Sequence, residues 1–195
     1  IGDPKCWQRQ CYETVFDRWT RDLRCVFVYD YDPGKGLDGL PFPMLHNLMR
    51  DFPKFKERGV WGFWTEGQNC WMVTHLNYYV RARLMWNADE DVRAIVRDYC
   101  EKFYGAAADP IEKYVWTLEN CVDKAPAHET FGRFTPWRVV YPPAAMRKLD
   151  RLMEKAVRLA KTDSDALHVR VYRLAHDYLR NYMAMEYAAA GADFA

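Results

Sequence analysis

The sequence predicts α/β plus α: the last strand–helix units of a (β/α)8 TIM barrel over residues 1–72, followed by a C-terminal helical domain over residues 73–195. Three observations predict it. Two short apolar runs, residues 25–31 and 60–64, are rich in β-branched and aromatic side chains and are separated by a helical pattern. Each run ends in turn-forming or polar residues, Asp32-Pro33-Gly34 after the first and Thr65-Glu66-Gly67 after the second. From Leu76 onward, apolar residues recur mostly at helical spacing.

The elements follow in order. Residues 12–23 set Val15, Phe16, Trp19 and Leu23 at helical spacing. Residues 25–31 suit a buried strand. A loop follows, from Asp32 through Pro41-Phe42-Pro43. Residues 44–58 carry Leu45, Leu48, Met49, Phe52 and Phe55 on one helical face, with Gly59 suited to end the helix. Pro53 argues for a kink or a restart there, because it removes a backbone donor. Residues 60–64 read as the second strand. Helix, strand, loop, helix, strand implies a parallel sheet covered by helices. One such repeat cannot close a barrel, so the missing N-terminal barrel strands are expected upstream in the same parent chain. Without them the chain is expected to expose an apolar sheet face and unpaired edges.

The second half reads as helices. Residues 76–86 form one. Asp89, Glu90 and Asp91 place acids at the positive end of the next. Asp109 and Pro110 open a third, with Asp as the cap and Pro in the first turn. Residues 124–141 show no period and read as an ordered loop. Residues 143–162 and 163–187 form two long helices, and residues 188–195 a frayed end.

Composition bounds the function. The chain is 50% hydrophobic and 16% aromatic, enough for a packed core. Its 28 basic and 27 acidic residues leave a net charge of +1, which gives no electrostatic case for nucleic acid or an anionic membrane. No apolar run approaches the roughly 18 residues a bilayer span needs. None of the six cysteines forms a Cys-x-x-Cys pair, and no Cys/His spacing suits zinc, so no metal or cofactor is expected. Most cysteines read as small buried hydrophobes, with a disulfide between Cys6 and Cys11 left open. His46 and His75 read as hydrogen-bonded histidines.

Ligands of parallel sheets bind at the C-terminal strand ends. The first end carries Tyr29, Asp30, Tyr31 and Asp32. The second carries Trp64, Thr65, Glu66, Gln68 and Asn69, with Trp71 beyond. Carboxylates and carboxamides bond sugar hydroxyls, and flat aromatic faces take the C–H side of a sugar ring. Glycoside cleavage needs two acids about the scissile bond. Glu66 is the candidate catalytic residue, against the alternative of a helix cap. Tyr29, Tyr31, Trp64, Gln68, Asn69 and Trp71 are the candidate substrate-binding residues. Period two places Tyr29 and Tyr31 on one side of their strand, Asp30 and Asp32 on the other. Asp32 before Pro33 reads first as a turn former. Trp61 and Trp64 also suit a core, and Trp71 a sugar platform on a loop. Tyr78, Tyr79, Arg81 and Arg83 read as helix packing with snorkelling arginines.

Three stretches resemble a known family: Gly59-Val-Trp-Gly-Phe-Trp-Thr-Glu-Gly67, Leu76-Asn-Tyr-Tyr-Val-Arg-Ala-Arg-Leu-Met-Trp86, and Asp89-Glu-Asp-Val92 with Phe103-Tyr-Gly-Ala-Ala107. They are similar to the C-terminal half of the domain of unknown function 4838 family. That resemblance implies a usually exported bacterial protein related to glycoside hydrolases, in particular the endo-β-N-acetylglucosaminidases of glycoside hydrolase family 163. It implies a carbohydrate substrate, contacted by Glu66, Tyr29 and Tyr31. It places the acid/base pair on earlier strands and implies two-carboxylate or substrate-assisted hydrolysis by the parent protein, with this chain alone inactive. The alternative is a non-catalytic carbohydrate-binding or helical scaffolding and interaction module.

Overall fold

The computed structural model describes residues 7–31, 39–41, 43–66, 71–125 and 137–191. The first elements are α1 (Trp7–Asp22), β1 (Phe27–Tyr31), α2 (Leu45–Glu57) and β2 (Gly62–Glu66). The strands pair in parallel, from Phe27 opposite Gly62 to Tyr31 opposite Glu66. A parallel pair needs a crossover, and α2 supplies it. Its Leu45, Leu48 and Phe52 are buried. Phe52 and Phe55 pack on Phe63 of β2, with ring centroids 5.4 and 6.0 Å apart. Pro53 lies inside α2 without ending it. Its ring is exposed, and the packing of Phe52 and Phe55 holds the helix together across the missing donor. Gly59 then turns the chain at φ +67°, a conformation that L side chains rarely adopt. Along α1, Arg9, Glu13 and Asp17 stand four residues apart and meet Asp51, Lys54 and Arg58, so a polar ladder joins α1 to the crossover.

The barrel expectation is overturned. Among the described residues the sheet has two strands and does not close. Strand–helix alternation is a local signal, and a single βαβ unit satisfies it. Barrel closure is a long-range property that two apolar runs cannot encode. The rest of the chain packs helix on helix.

Those helices are α3 (Trp71–Trp86), α4 (Val92–Tyr104), α5 (Ala108–Lys124), α6 (Trp137–Val140), α7 (Pro143–Leu159) and α8 (Asp163–Gly191), with a 3-10 turn at Gly105–Ala107. The Asp91 carboxylate caps α4, accepting from the Arg93 N–H at 2.8 Å. Asp109 sits within the first turn of α5 rather than capping it, because the 3-10 turn runs straight into the helix. The short α6 lies in the stretch expected to be a loop, and Trp137 and Val140 anchor it in the core. α8 runs past the expected frayed end to Gly191, since the alanines at 188–190 favour helix. A continuous apolar core runs from Leu40 and Leu45 through Val80, Val96, Ile111 and Leu149 to Leu179 and Met183.

Two buried polar contacts tie the helices together. His176 of α8 donates from Nε2 to Asp150 of α7 at 2.9 Å, and its Nδ1 accepts from the Tyr114 hydroxyl of α5 at 3.1 Å. Glu119 of α5 accepts backbone N–H groups of Leu45 and His46 at 2.8 and 3.2 Å, capping α2 from a distant element.

Candidate functional site

Side chains alternate across the strands, so the register sorts them by face. Phe63 and Thr65 turn toward the helices: Phe63 packs on α2, and Thr65 accepts a hydrogen bond from Arg81 of α3 at 2.8 Å. Phe27, Tyr29 and Trp64 stand on the opposite face and are 65%, 49% and 66% exposed. Tyr29 and Trp64 are register partners, and their rings stack at 4.7 Å with 26° between planes. At the near end of the sheet Gly62 faces Phe27. A Cβ there would meet the Phe27 ring at 2.5 Å, so glycine is what lets that ring lie across β2.

Tyr31 and Glu66 close the two strands as register partners. Their side chains, and Gln68 and Asn69 entirely, lie outside the described residues. Trp71 does not stand on a loop, as expected. It opens α3, is 60% exposed and stacks on Tyr78 at 5.4 Å and 13°. These two residues are seven apart on one helix, two turns, which aligns them. The structure thus brings together Tyr29 and Trp64, and places Trp71 in a second stacked pair.

Arg81 departs from the snorkelling expectation. It is 1% exposed, and its guanidinium lies over the rings of Phe63 and Tyr78 at 5.6 and 5.8 Å. Arg83 is half-buried and pairs with Glu90 and the Tyr79 hydroxyl. Sequence reasoning missed Arg81 as a site residue. The signal was its spacing: Asn77, Arg81 and Leu84 form one buried stripe on α3, where a charge needs an explanation.

The two histidines differ: His75 is hydrogen-bonded as expected, whereas the buried ring Nδ1 of His46 has no hydrogen-bond partner among the described residues. His75 donates to the Met72 carbonyl at 3.1 Å and accepts from the Tyr104 hydroxyl at 3.4 Å, while burial keeps it toward the neutral form. His46 Nδ1 lies 3.5 Å from Glu119, and burial likewise lowers its pKa. Burial pushes the Glu119 carboxyl up to about 7, against the opposing pull of its two backbone donors. Cys100 is buried as expected, but Cys11 and Cys25 are exposed free thiols. Cys6, the other half of the open disulfide, lies outside the described residues.

The hydrolase expectation is corrected here. Among the described residues the sheet has two strands, and no barrel mouth frames two-carboxylate or substrate-assisted cleavage. Among the described residues no group of three or more His, Cys, Asp or Glu could hold a metal ion, and no helix is long and apolar enough to cross a membrane.

These features define a mainly helical protein built on one βαβ unit with an exposed aromatic sheet face. The profile of the family "Domain of unknown function (DUF4838)" matches residues 4–116 of the 195, and the chain belongs to that family. The match extends to the family alone, not to a glycoside hydrolase family or a catalytic activity. No curated protein and no solved structure matches the chain.

Proposed function

We propose that this chain is a non-catalytic carbohydrate-binding module whose platform is the bare face of the sheet. The observation that carries the reading is the stacked pair of Tyr29 and Trp64, both about half exposed or more, at the midpoint of two parallel strands. Aromatic pairs left open to water in this way offer apolar ring faces to the C–H face of a sugar. Trp71 is proposed to add a third ring, and Tyr31, Glu66, Gln68 and Asn69 to supply hydrogen bonds to hydroxyls. An exported location, where free glycans are met, belongs to the same proposal.

Calorimetric titration with chitotriose and cellotriose tests this. At least one should bind, and Trp64→Ala and Tyr29→Ala should each weaken it about tenfold, a loss of about 1.4 kcal/mol. Trp86→Ala is the control: Trp86 is 92% exposed at the far end of α3 and should leave affinity unchanged. Binding indifferent to Trp64 and Tyr29, or no binding of either sugar, would remove the proposal.

One observation favours a second reading, a protein-interaction module. Tyr12, Val15 and Trp19 share a face of α1 by spacing, with Leu23 just past its end, and are 62%, 46%, 56% and 52% exposed. On that reading the chain self-associates through α1, and Trp19→Asp restores a monomer in sedimentation velocity. A wild-type chain that is already monomeric would count against it.

A further inference from the structure

We infer that Arg81 is a positioning residue for the aromatic face: its buried guanidinium fixes β2 and the Trp71/Tyr78 pair in one arrangement. The inference rests on the carbohydrate-binding reading for its functional meaning. Arg81 is 1% exposed and reaches three elements at once. Its Nη1 donates to the Thr65 hydroxyl at 2.8 Å, its Nη2 points at the Met44 sulfur at 3.8 Å, and its plane covers Phe63 and Tyr78.

Phe63 and Thr65 are the two chain neighbours of Trp64. Holding them on the inner face sets the twist of β2, and with it the direction in which Trp64 leaves the outer face. Tyr78, under the same guanidinium, is the ring on which Trp71 stacks. One side chain therefore links both stacked pairs.

The choice of residue points the same way. A buried cation carries a desolvation penalty that Met or Leu would avoid, so an apolar residue would fill this space at lower cost. What an apolar residue cannot do is donate to a strand hydroxyl while lying flat against two rings. Lysine cannot do it either, because its ammonium is a point charge without a plane.

The test uses the full chain with Arg81→Met, Arg81→Lys and, as a control for general loosening of the core, Leu84→Ala. Leu84 is buried on the same helix, one turn on. Near-ultraviolet circular dichroism reads the stacked aromatic pairs, and chitotriose titration reads the site. Arg81→Met should keep the helical far-ultraviolet signal, lose the part of the near-ultraviolet tryptophan band that depends on Trp64 and Trp71, as defined by a Trp64→Phe, Trp71→Phe variant, and bind chitotriose at least tenfold more weakly. Arg81→Lys should fail to rescue either signal. Leu84→Ala should lower the melting midpoint and leave both signals intact. Should Arg81→Met not fold, Thr65→Val removes the strand acceptor with little change of shape, and it should reduce the same band and weaken binding about threefold. Arg81→Met with a wild-type band and affinity would overturn the inference. So would Leu84→Ala reproducing the full loss, or Thr65→Val matching wild type. If the wild-type chain binds no chitotriose, the carbohydrate reading fails for that sugar, while the near-ultraviolet comparison still decides whether Arg81 orders the rings.

Discussion

Replacing Glu119 by Gln probes how the crossover helix is held. Glu119 is 2% exposed and caps the start of α2 by accepting from Leu45 and His46. Burial raises its pKa from 4.5 to about 7, the two amide donors opposing the rise. The folded value therefore lies above the unfolded one. The stability this group contributes is complete below about pH 4.5 and is lost as pH rises through about 7. A rise from 4.5 to about 7 corresponds to about 3 kcal/mol, of which roughly 2–3 kcal/mol falls between about pH 5 and about pH 8. Glutamine does not titrate. It keeps one acceptor and leaves one backbone donor unsatisfied, which costs roughly 1–3 kcal/mol at every pH. Urea denaturation of both proteins at the two pH values gives the decisive quantity, the unfolding free energy of Glu119→Gln minus that of wild type. It should rise by roughly 2–3 kcal/mol from about pH 5 to about pH 8. His46, His75 and His176, all lowered chiefly by burial, stabilise the fold as pH rises toward their unfolded value of 6.5. His75 and His176 are common to both proteins and largely cancel in the difference, and His46, whose ring lies 3.5 Å from Glu119, is taken out of it by making both measurements in a His46→Gln background. A difference that stays flat with pH would refute the buried-carboxylate argument.

Two further predictions concern the turn at Gly105 and the bare sheet face. Gly105 sits at φ +51°, and an added Cβ would lie 2.5 Å from the Asp165 carboxylate. Gly105→Ala should cost about 1–3 kcal/mol in a thermal melt, and an unchanged midpoint would show that the turn tolerates a side chain. The exposed Phe27, Tyr29 and Trp64 should bind a hydrophobic dye, and a Tyr29→Ser, Trp64→Ser double variant should lose most of the fluorescence. Undiminished dye binding would place the main apolar patch elsewhere, with the stripe on α1 as the next candidate.

What the sequence revealed was local. The strands, their parallel pairing and the crossover were legible because β-branched and aromatic runs alternate with a helical pattern. β2 nevertheless lies two residues later than the apolar run suggested. Gly62, inside that strand, is where the Phe27 ring crosses the sheet. The shift makes Glu66 the last residue of the strand, in register with Tyr31. Pro53 misled because its cost is borne by tertiary contacts of Phe52 and Phe55, which no window along the chain contains. Glu119 was invisible for a related reason: the donors it accepts lie 74 and 73 residues away. Arg81 was visible as a charge but not as a buried one, since period alone does not say whether an arginine folds inward or reaches for water. The barrel was the largest error, because closure depends on strands pairing across the whole sheet and alternation is blind to that.

The most direct test of the carbohydrate-binding account is the nuclear magnetic resonance spectrum of the tryptophan indole N–H groups during titration with chitotriose. The account predicts a saturable shift of the Trp64 resonance, a smaller one of Trp71, none of Trp86, and an intact trisaccharide at the end. A titration that leaves Trp64 unmoved while the sugar binds elsewhere, or one in which the sugar is cut, would contradict it.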